Sequence, residues 1–202
     1  MILTMAEVKD YSGEFNPNLR LTDFSKEALI KLLISTSKAY LGVDGLWTTM
    51  MRGKVGDRAA FDLDKEMWFS KGLEHDIKRT VEPMNIEGND IATLFKYWQI
   101  CPSFALIYTG PPPDFRPFVH FELKNKNHGI MTVERCFSLE YFERHQDGPL
   151  QKLACEEIDL PAWEWVAHQF NPKIKFRALK MPPRKSKDDI ACQCEFTLDE
   201  DA

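Results

Sequence analysis

Residues 171–198 constrain the fold more tightly than any other stretch of the chain. Ile174 and Phe176 alternate there with Lys and Arg residues, which is the period of two expected of a β-strand with one buried and one wet face. Pro182 and Pro183 then end the strand, because neither can donate a hydrogen bond to a neighbouring strand. This stretch therefore predicts the first strand of a β-hairpin.

A second alternating run follows these prolines. A charged segment at 184–189 is expected to stay in water, and four apolar side chains then share one face: Cys192, Cys194, Phe196 and Leu198. Glu195 lies on the other face, where a basic residue of the first strand can pair with it, a contact worth ~0.2–1 kcal/mol. The first interpretation of the two cysteines is that they pack as small hydrophobic residues beside Phe196.

The N-terminal half shows helical periodicity instead. Ser25 is a good N-cap for a helix with one broad apolar face, and Gly42 is a suitable stop. Asp44 then opens a second helix that reaches Gly53 or Gly56. The sequence therefore predicts two helices before residue 57.

Two further helices complete this half. Apolar residues at steps of three and four predict a long helix over 57–81, which Pro83 ends. Asn89 or Asp90 can cap a fourth helix. Residues 1–22 show little periodicity and are expected to form an arm.

After Cys101 the apolar residues alternate. This change predicts a strand at 104–108 and a hairpin at 119–135, with Gly129 at its turn in a positive-φ conformation. Three helical segments follow the hairpin, at 137–145, at 149–157 and from Pro161 to Asn171.

Helices that precede strands indicate an α+β fold. We expect an N-terminal helical layer packed on a C-terminal antiparallel sheet with covering helices. The predicted organisation is an arm at 1–22 and a single domain at 23–202, with a helical part at 23–101 and a sheet-containing part at 102–198.

Composition narrows the class of protein. The net charge is −5, and Lys and Arg form no basic stripe, so nucleic acid is not expected as a partner. No apolar run approaches the ~20 residues that a membrane span needs, and no secretory signal is visible. Five irregularly spaced cysteines do not form a disulfide framework. We therefore expect a cytoplasmic protein without a membrane partner.

The cysteines carry the main chemical signal, because no phosphate loop, nucleophile elbow or HExxH motif is present. Four lie in the C-terminal half: Cys136, Cys155, Cys192 and Cys194. Converging thiolates could hold zinc or another thiophilic metal. Alternatively, one thiol could be a nucleophile with a pKa lowered by Arg135, Lys152 or a helix N-terminus. Among the histidines, His168 is the best placed to meet a cysteine.

Several segments together resemble one protein family. They are SKEALIKLL from Ser25, DGLW at 44–47, the region 64–68, VERC at 133–136, the segment around Cys155 and FNPKIKFRALKMPP…ACQCEFTL. On these segments the chain resembles a DUF6125-type family of bacterial and archaeal cytosolic proteins, which is distantly similar to L-2-amino-thiazoline-4-carboxylate hydrolase-like proteins. The family has no assigned reaction. The resemblance implies a small-molecule site but transfers no catalytic residue.

The chain also departs from that family pattern. Family members have a histidine before the DGLW aspartate, where this chain has Val43. They also have a C-x-x-C before the double proline, where this chain has Ala178 and Met181. If the family binds a metal through its cysteines, this member lacks two of the ligands, and Cys194 or His168 would substitute.

Two functions fit these observations. The first is a cytosolic small-molecule-binding protein or enzyme with a thiol- or metal-lined pocket between helices and sheet, where Asp44, Trp47 and His168 would bind the ligand. The second is a non-catalytic accessory or scaffolding subunit that keeps the family fold but has lost part of the cysteine site. In that case the proline segment at 111–113 would present a rigid loop to a partner protein.

Overall fold

The computed structural model describes residues 7–199 of the 202-residue chain. It confirms the α+β class, with helices in the N-terminal half, strands of one antiparallel sheet in the C-terminal half, and helices packed on that sheet. Residues 1–6 of the predicted arm and 200–202 of the predicted domain lie outside the described residues. The division into an arm and a single domain stays a prediction.

The helices and strands have the following bounds. The helices are α1 (Lys26–Val55), α2 (Asp57–Met67), α3 (Leu73–Val81), α4 (Ile91–Ile100), α5 (Phe137–His145), α6 (Gly148–Lys152) and α7 (Leu160–Phe170). The strands are β1 (Val119–Asn125), β2 (His128–Val133), β3 (Lys175–Lys180) and β4 (Cys192–Thr197). A first π turn (Trp68–Gly72) joins α2 to α3, and a second π turn (Leu153–Asp159) joins α6 to α7. Across residues 7–199 we find no helix with the length and apolar character of a membrane span.

The first helix, α1, is continuous where the sequence predicted two helices. Ser25 caps it as expected, because its Oγ accepts a hydrogen bond from the Ala28 N–H at 3.2 Å. Gly42, the predicted stop, lies in the helix interior, since a single glycine costs a helix only about 1 kcal/mol. The helix ends at Gly56, whose φ of 82° favours glycine.

Two longer helical runs each contain a π turn. The predicted helix over 57–81 is found, interrupted by the first π turn. In the second π turn the Leu160 N–H donates to the Cys155 carbonyl, five residues back. Pro161 has no N–H, and in a regular helix its ring would clash with the Glu157 carbonyl. Pro161 therefore follows a widened turn inside one helical run and does not begin a separate helix as predicted.

The sheet has the strand order β1-β2-β4-β3, so the last strand of the chain lies in its interior. Both predicted hairpins are confirmed, and β4 also pairs with β2, from His128↔Thr197 to Val133↔Cys192. Arg177 lies opposite Glu195 in the β3–β4 pair, and its Nε donates to Oε2 at 3.0 Å. The alternation predicted for β4 is therefore correct, with one face buried and the other partly wet.

Aromatic side chains from α4 fill the space beneath the sheet. The ring centroids of Trp98 and Phe95 lie 5.1 and 5.7 Å from that of Phe196 in β4. Gly129 does not take the predicted positive φ. It is needed because a Cβ there would lie 2.4 Å from the Phe95 ring, so only glycine allows the helix to approach β2 this closely.

Residues 104–108, predicted as a strand, form consecutive tight turns. The Phe104 N–H donates to the Cys101 carbonyl, and the Ile107 N–H donates to the Phe104 carbonyl, at 3.2 and 3.1 Å. The strand prediction was wrong because a short apolar run that is buried on several sides has no period that separates strand from turn.

The charged loop between β3 and β4 is anchored to α5. Arg184, predicted to be solvated, has a side chain only 3% exposed. Its Nε and Nη2 donate to the Glu143 carboxylate at 2.8 and 2.7 Å, and its Nη1 donates to the Lys187 carbonyl at 3.0 Å. A bidentate pair of this kind fixes both partners more firmly than a surface ion pair does.

Arg184→Ala should therefore destabilise the protein far more than Arg177→Ala. The first change leaves the Glu143 carboxylate without its main partner and should lower the free energy of unfolding by ~2–4 kcal/mol. The second removes a guanidinium that is 70% exposed and should cost less than ~1 kcal/mol. Urea unfolding of both variants measures the difference, and equal losses would show that the buried pair does not anchor the loop.

Candidate functional site: a thiol-lined pocket

A small pocket lies where the sheet meets α5, the second π turn and α7. The residues with titratable side chains that line it are Cys136, Cys155, Cys192, Asp159 and Tyr108. Aromatic and apolar side chains form the rest of the wall. The cavity measures about 20 Å³, which is room for about one water molecule. It can hold a ligand of a few atoms, or the end of a larger one.

Three separate elements carry these thiols into the pocket. Cys136 is the N-cap of α5, Cys155 lies in the second π turn, and Cys192 begins β4. The pairing of Val133 with Cys192 places the start of β4 beside the end of β2, just ahead of Cys136. The topology thus brings together three of the four predicted cysteines.

Burial raises the pKa of all three pocket thiols. It raises the pKa of Cys155 and Cys192 far above the usual range, because a thiolate loses its hydration there. The carboxyl of Asp159 and the neighbouring thiols raise both pKa values further. These two cysteines are therefore weak nucleophiles at neutral pH.

Cys136 differs from them because two hydrogen-bonding groups contact its sulfur. Its Sγ accepts a hydrogen bond from the Leu139 N–H at 3.4 Å at the start of α5, and the Tyr108 hydroxyl lies 3.6 Å away. Burial raises the pKa of Cys136, but these hydrogen bonds act in the opposite direction. The helix N-terminus also favours negative charge. Of the three pocket thiols, Cys136 is the one whose thiolate the protein supports best.

Asp159 is the carboxyl of the pocket. Burial, and then the charge of Asp44, raise its pKa to about 7. A carboxyl with this pKa exchanges protons readily at neutral pH, which is the property of a general acid or base. Its charge acts in turn on Tyr108, Cys136 and Cys155, raising their pKa values.

A second pair of carboxyls lies behind Asp159, in the helical layer. Asp44 of α1 and Asp64 of α2 lie close enough together for the charge of Asp44 to act on the Asp64 carboxyl. Burial raises the pKa of both carboxyls, and Asp44 raises that of Asp64 further. Within residues 7–199, three buried oxygens of this region have no hydrogen-bond partner: Asp44 Oδ1, Thr48 Oγ1 and Asp64 Oδ1.

The other predicted site residues lie outside the pocket. Cys194 is fully buried in the core, with Met131 and Ala178 as its strand partners. Trp47 is 59% exposed on α1. His168 donates its Nε2–H to the Ile174 carbonyl at 3.0 Å, so it joins α7 to the chain entering β3. Asp44 acts on the pocket only through its charge on Asp159.

The fifth cysteine, Cys101, belongs to a separate buried network. Its Sγ donates to the Asp76 carboxylate at 3.2 Å, and the Ser103 hydroxyl donates to the same oxygen. Its Sγ also lies 3.3 Å from the Tyr97 hydroxyl. These contacts join the turn after α4 to α3, which is a structural role.

The arrangement of the thiols is not that of a formed metal site. Among the described residues, no group of three or more His, Cys, Asp or Glu side chains is placed to hold a metal ion. Zinc requires sulfur ligands at about 2.3 Å from a common centre. Binding of zinc or another thiophilic metal by Cys136, Cys155, Cys192 and Cys194 stays a prediction.

Comparisons with known protein families, curated proteins and solved structures find no match to this chain. The resemblance to the DUF6125-type family therefore also stays a prediction.

Sequence reasoning did not single out Asp64, Tyr108 or Asp159. A signal for Asp159 was present, because this carboxylate lies between the apolar residues Ile158 and Leu160 in ACEEIDLPAW, two residues before a proline. Asp64 stands four residues before Trp68, the spacing that places two side chains on one helix face. Tyr108 gave no signal, since its segment was predicted as a strand.

The raised pKa of Asp159 makes stability depend on pH. The unfolded chain ionises this carboxyl near pH 4, whereas the folded chain ionises it near pH 7. Its contribution to stability is thus complete below about pH 4 and is lost as the pH rises through 7. Between pH 5 and 7 the free energy of unfolding of the wild type should fall by roughly 2 kcal/mol more than that of Asp159→Asn.

Denaturant unfolding of both proteins at several pH values measures this difference. The control is Asp62→Asn, a change at a 53% exposed carboxylate of α2, which should leave the pH dependence as in the wild type. Parallel curves for the wild type and Asp159→Asn would mean that the Asp159 carboxyl is hydrated.

Proposed function

We propose that the protein binds a small molecule in the thiol-lined pocket and that Cys136 reacts with it. The observations that support this proposal most directly are that Cys136 and Asp159 both line the same small cavity and that the charge of Asp159 acts on the Cys136 thiol. A nucleophile next to a base whose pKa lies near neutrality is the usual arrangement of a covalent catalyst.

The proposed step is an addition to an electrophilic carbon. The Cys136 thiol loses its proton to the Asp159 carboxylate, and the sulfur forms a bond to a carbonyl or imine carbon of the ligand. The π bond of that carbon breaks, and its electron pair moves to the ligand oxygen or nitrogen. The Tyr108 hydroxyl and the Leu139 N–H, which contact Cys136 Sγ, stabilise the thiolate before it attacks.

The size of the cavity selects the ligand. About 20 Å³ is far below the ~300–1,000 Å³ of pockets that enclose drug-sized molecules. Only the reacting end of a substrate would therefore enter. Phe104, Trp163 and Met181 on the wall would favour an apolar group next to that end.

The alternative is a non-catalytic accessory or scaffolding subunit. The two functions require different reactivities of the pocket thiols. An accessory subunit needs only inert core cysteines, so Cys136 would react no faster than the fully buried Cys194.

Thiol alkylation distinguishes the two functions. Native protein is treated with iodoacetamide at neutral pH, and the modified cysteines are located by mass spectrometry over time. We expect Cys136 to react at least ~10-fold faster than Cys155 and Cys192, because its thiolate has hydrogen-bond donors and theirs do not. Equal rates at all three pocket cysteines, or a first modification at Cys194, would support the accessory role.

The dependence of this rate on pH tests the part assigned to Asp159. In the wild type the Cys136 rate should rise with ionisation of the carboxyl, with a midpoint near pH 7. Asp159→Asn should abolish that midpoint and leave a rate that keeps rising into the alkaline range. Asp62→Asn serves as the matched control. A midpoint near pH 7 that persists without the carboxyl would contradict proton transfer to Asp159.

A further inference from the structure

One side of α1 exposes an unusually continuous set of apolar side chains. The helix has 30 residues, and of these only Ala28, Ile34 and Ser37 are buried. Leu46 is 68% exposed, Val43 is 67% exposed and Trp47 is 59% exposed. Large side chains at this exposure in a row are uncommon on the surface of a monomer.

These residues repeat with the spacing of a coiled coil. The first row steps alternately by four and three along the helix: Leu29, Leu33, Thr36, Tyr40, Val43, Trp47 and Met50. A flanking row repeats every seven residues: Leu32, Ala39, Leu46 and Gly53. All of these positions are exposed, and none is charged. We call the two rows the outer seam. A period of 3.5 residues is what a facing helix requires.

The outer seam is large enough for a stable dimer. Leu63 and Met67 of α2, the helix that packs against α1, are also 45% and 44% exposed. Tyr and Trp side chains each bury ~150–250 Å², and the leucine, valine and methionine side chains are somewhat smaller. About ten of them at half exposure offer on the order of 800 Å², the area that one partner contributes to a standard interface.

We propose that the outer seam pairs with the outer seam of a second copy of this chain, with the two α1 helices antiparallel. The twofold axis passes between Tyr40 and Val43, so that Tyr40 of one copy lies opposite Val43 of the other. In this register Leu33 lies opposite Met50, and the other pairs within the seam join a large side chain to a smaller one. Trp47 lies opposite Thr36, and the flanking row pairs large with small in the same way: Leu46 with Ala39 and Leu32 with Gly53.

Two features favour a second copy over a different protein. The outer seam has no charge in either row, so it lacks the electrostatic pattern that selects and orients a different partner. Its large and small residues are also arranged about one point of the helix, so that the surface is complementary to itself after a twofold rotation. This is the requirement of an isologous interface.

Sedimentation equilibrium of the full chain tests the proposal. At about 10 μM, a concentration at which interfaces of this size are usually occupied, we expect the wild type to have twice the mass of one chain. Leu46→Glu places a carboxylate against Ala39 of the other copy and should weaken dimerisation at least ~100-fold. The matched control is Leu123→Glu, a change at a 47% exposed leucine of β1, which should remain dimeric.

A double variant tests the register. Ala39→Lys combined with Leu46→Glu places each lysine opposite a glutamate of the other copy in the antiparallel pairing, and should restore the dimer. Circular dichroism of each variant confirms that its fold is intact. The proposal would be overturned by a wild type that is still monomeric at 100 μM, about 10-fold above the first concentration. It would also be overturned if the double variant dimerised as weakly as Leu46→Glu, or if the protein were a monomer that binds neutral lipid vesicles through α1.

Discussion

The pairing of β4 with β2 is the interaction on which both the sheet and the pocket depend. Each hairpin is local in sequence, and only the register from His128↔Thr197 to Val133↔Cys192 joins the two into one sheet. Because β4 has a strand on each side, its inner face is sealed against the aromatic side chains of α4. The same pairing places Cys192 beside the end of β2, where the chain turns into Cys136 and α5. The helices between these two strands then fold back over the sheet and close the pocket.

Asp159 connects that pocket to the helical layer. It ends the second π turn, and the charge of Asp44 reaches it from α1. A π turn widens a helix locally and is often found at functional sites. Here both π turns stand next to carboxyls, the first after Asp64 and the second at Asp159. These carboxyls with raised pKa values lower the free energy of unfolding above neutral pH. Strongly shifted pKa values of this kind are typical of residues that take part in chemistry.

Much of the fold followed from local patterns, whereas the site did not. The alternation of apolar residues over 171–198 was sufficient to predict the hairpin, and the spacing of apolar residues over 57–81 was sufficient to predict a helical run. Both predictions succeeded because one-sided burial imposes a period on strands and helices alike. The prediction that a helix ends at Gly42 was wrong because the free energy that a glycine costs a helix is small compared with the stabilisation that packing gives a long helix. The convergence of Cys136, Cys155 and Cys192 depends on a pairing between distant strands that leaves no local signal. Asp159 was missed because a carboxylate in a helix is usually solvated.

The proposed chemistry depends most on the Asp159 carboxyl, which lines the pocket together with Cys136, Cys155 and Cys192. Carbon-13 NMR of the aspartate carboxyls, assigned by comparison with Asp159→Asn, measures its titration directly. We predict a midpoint near pH 7, which moves lower in Asp44→Asn because the repelling charge is removed. A midpoint near pH 4, the ordinary value for a hydrated aspartate, would contradict it.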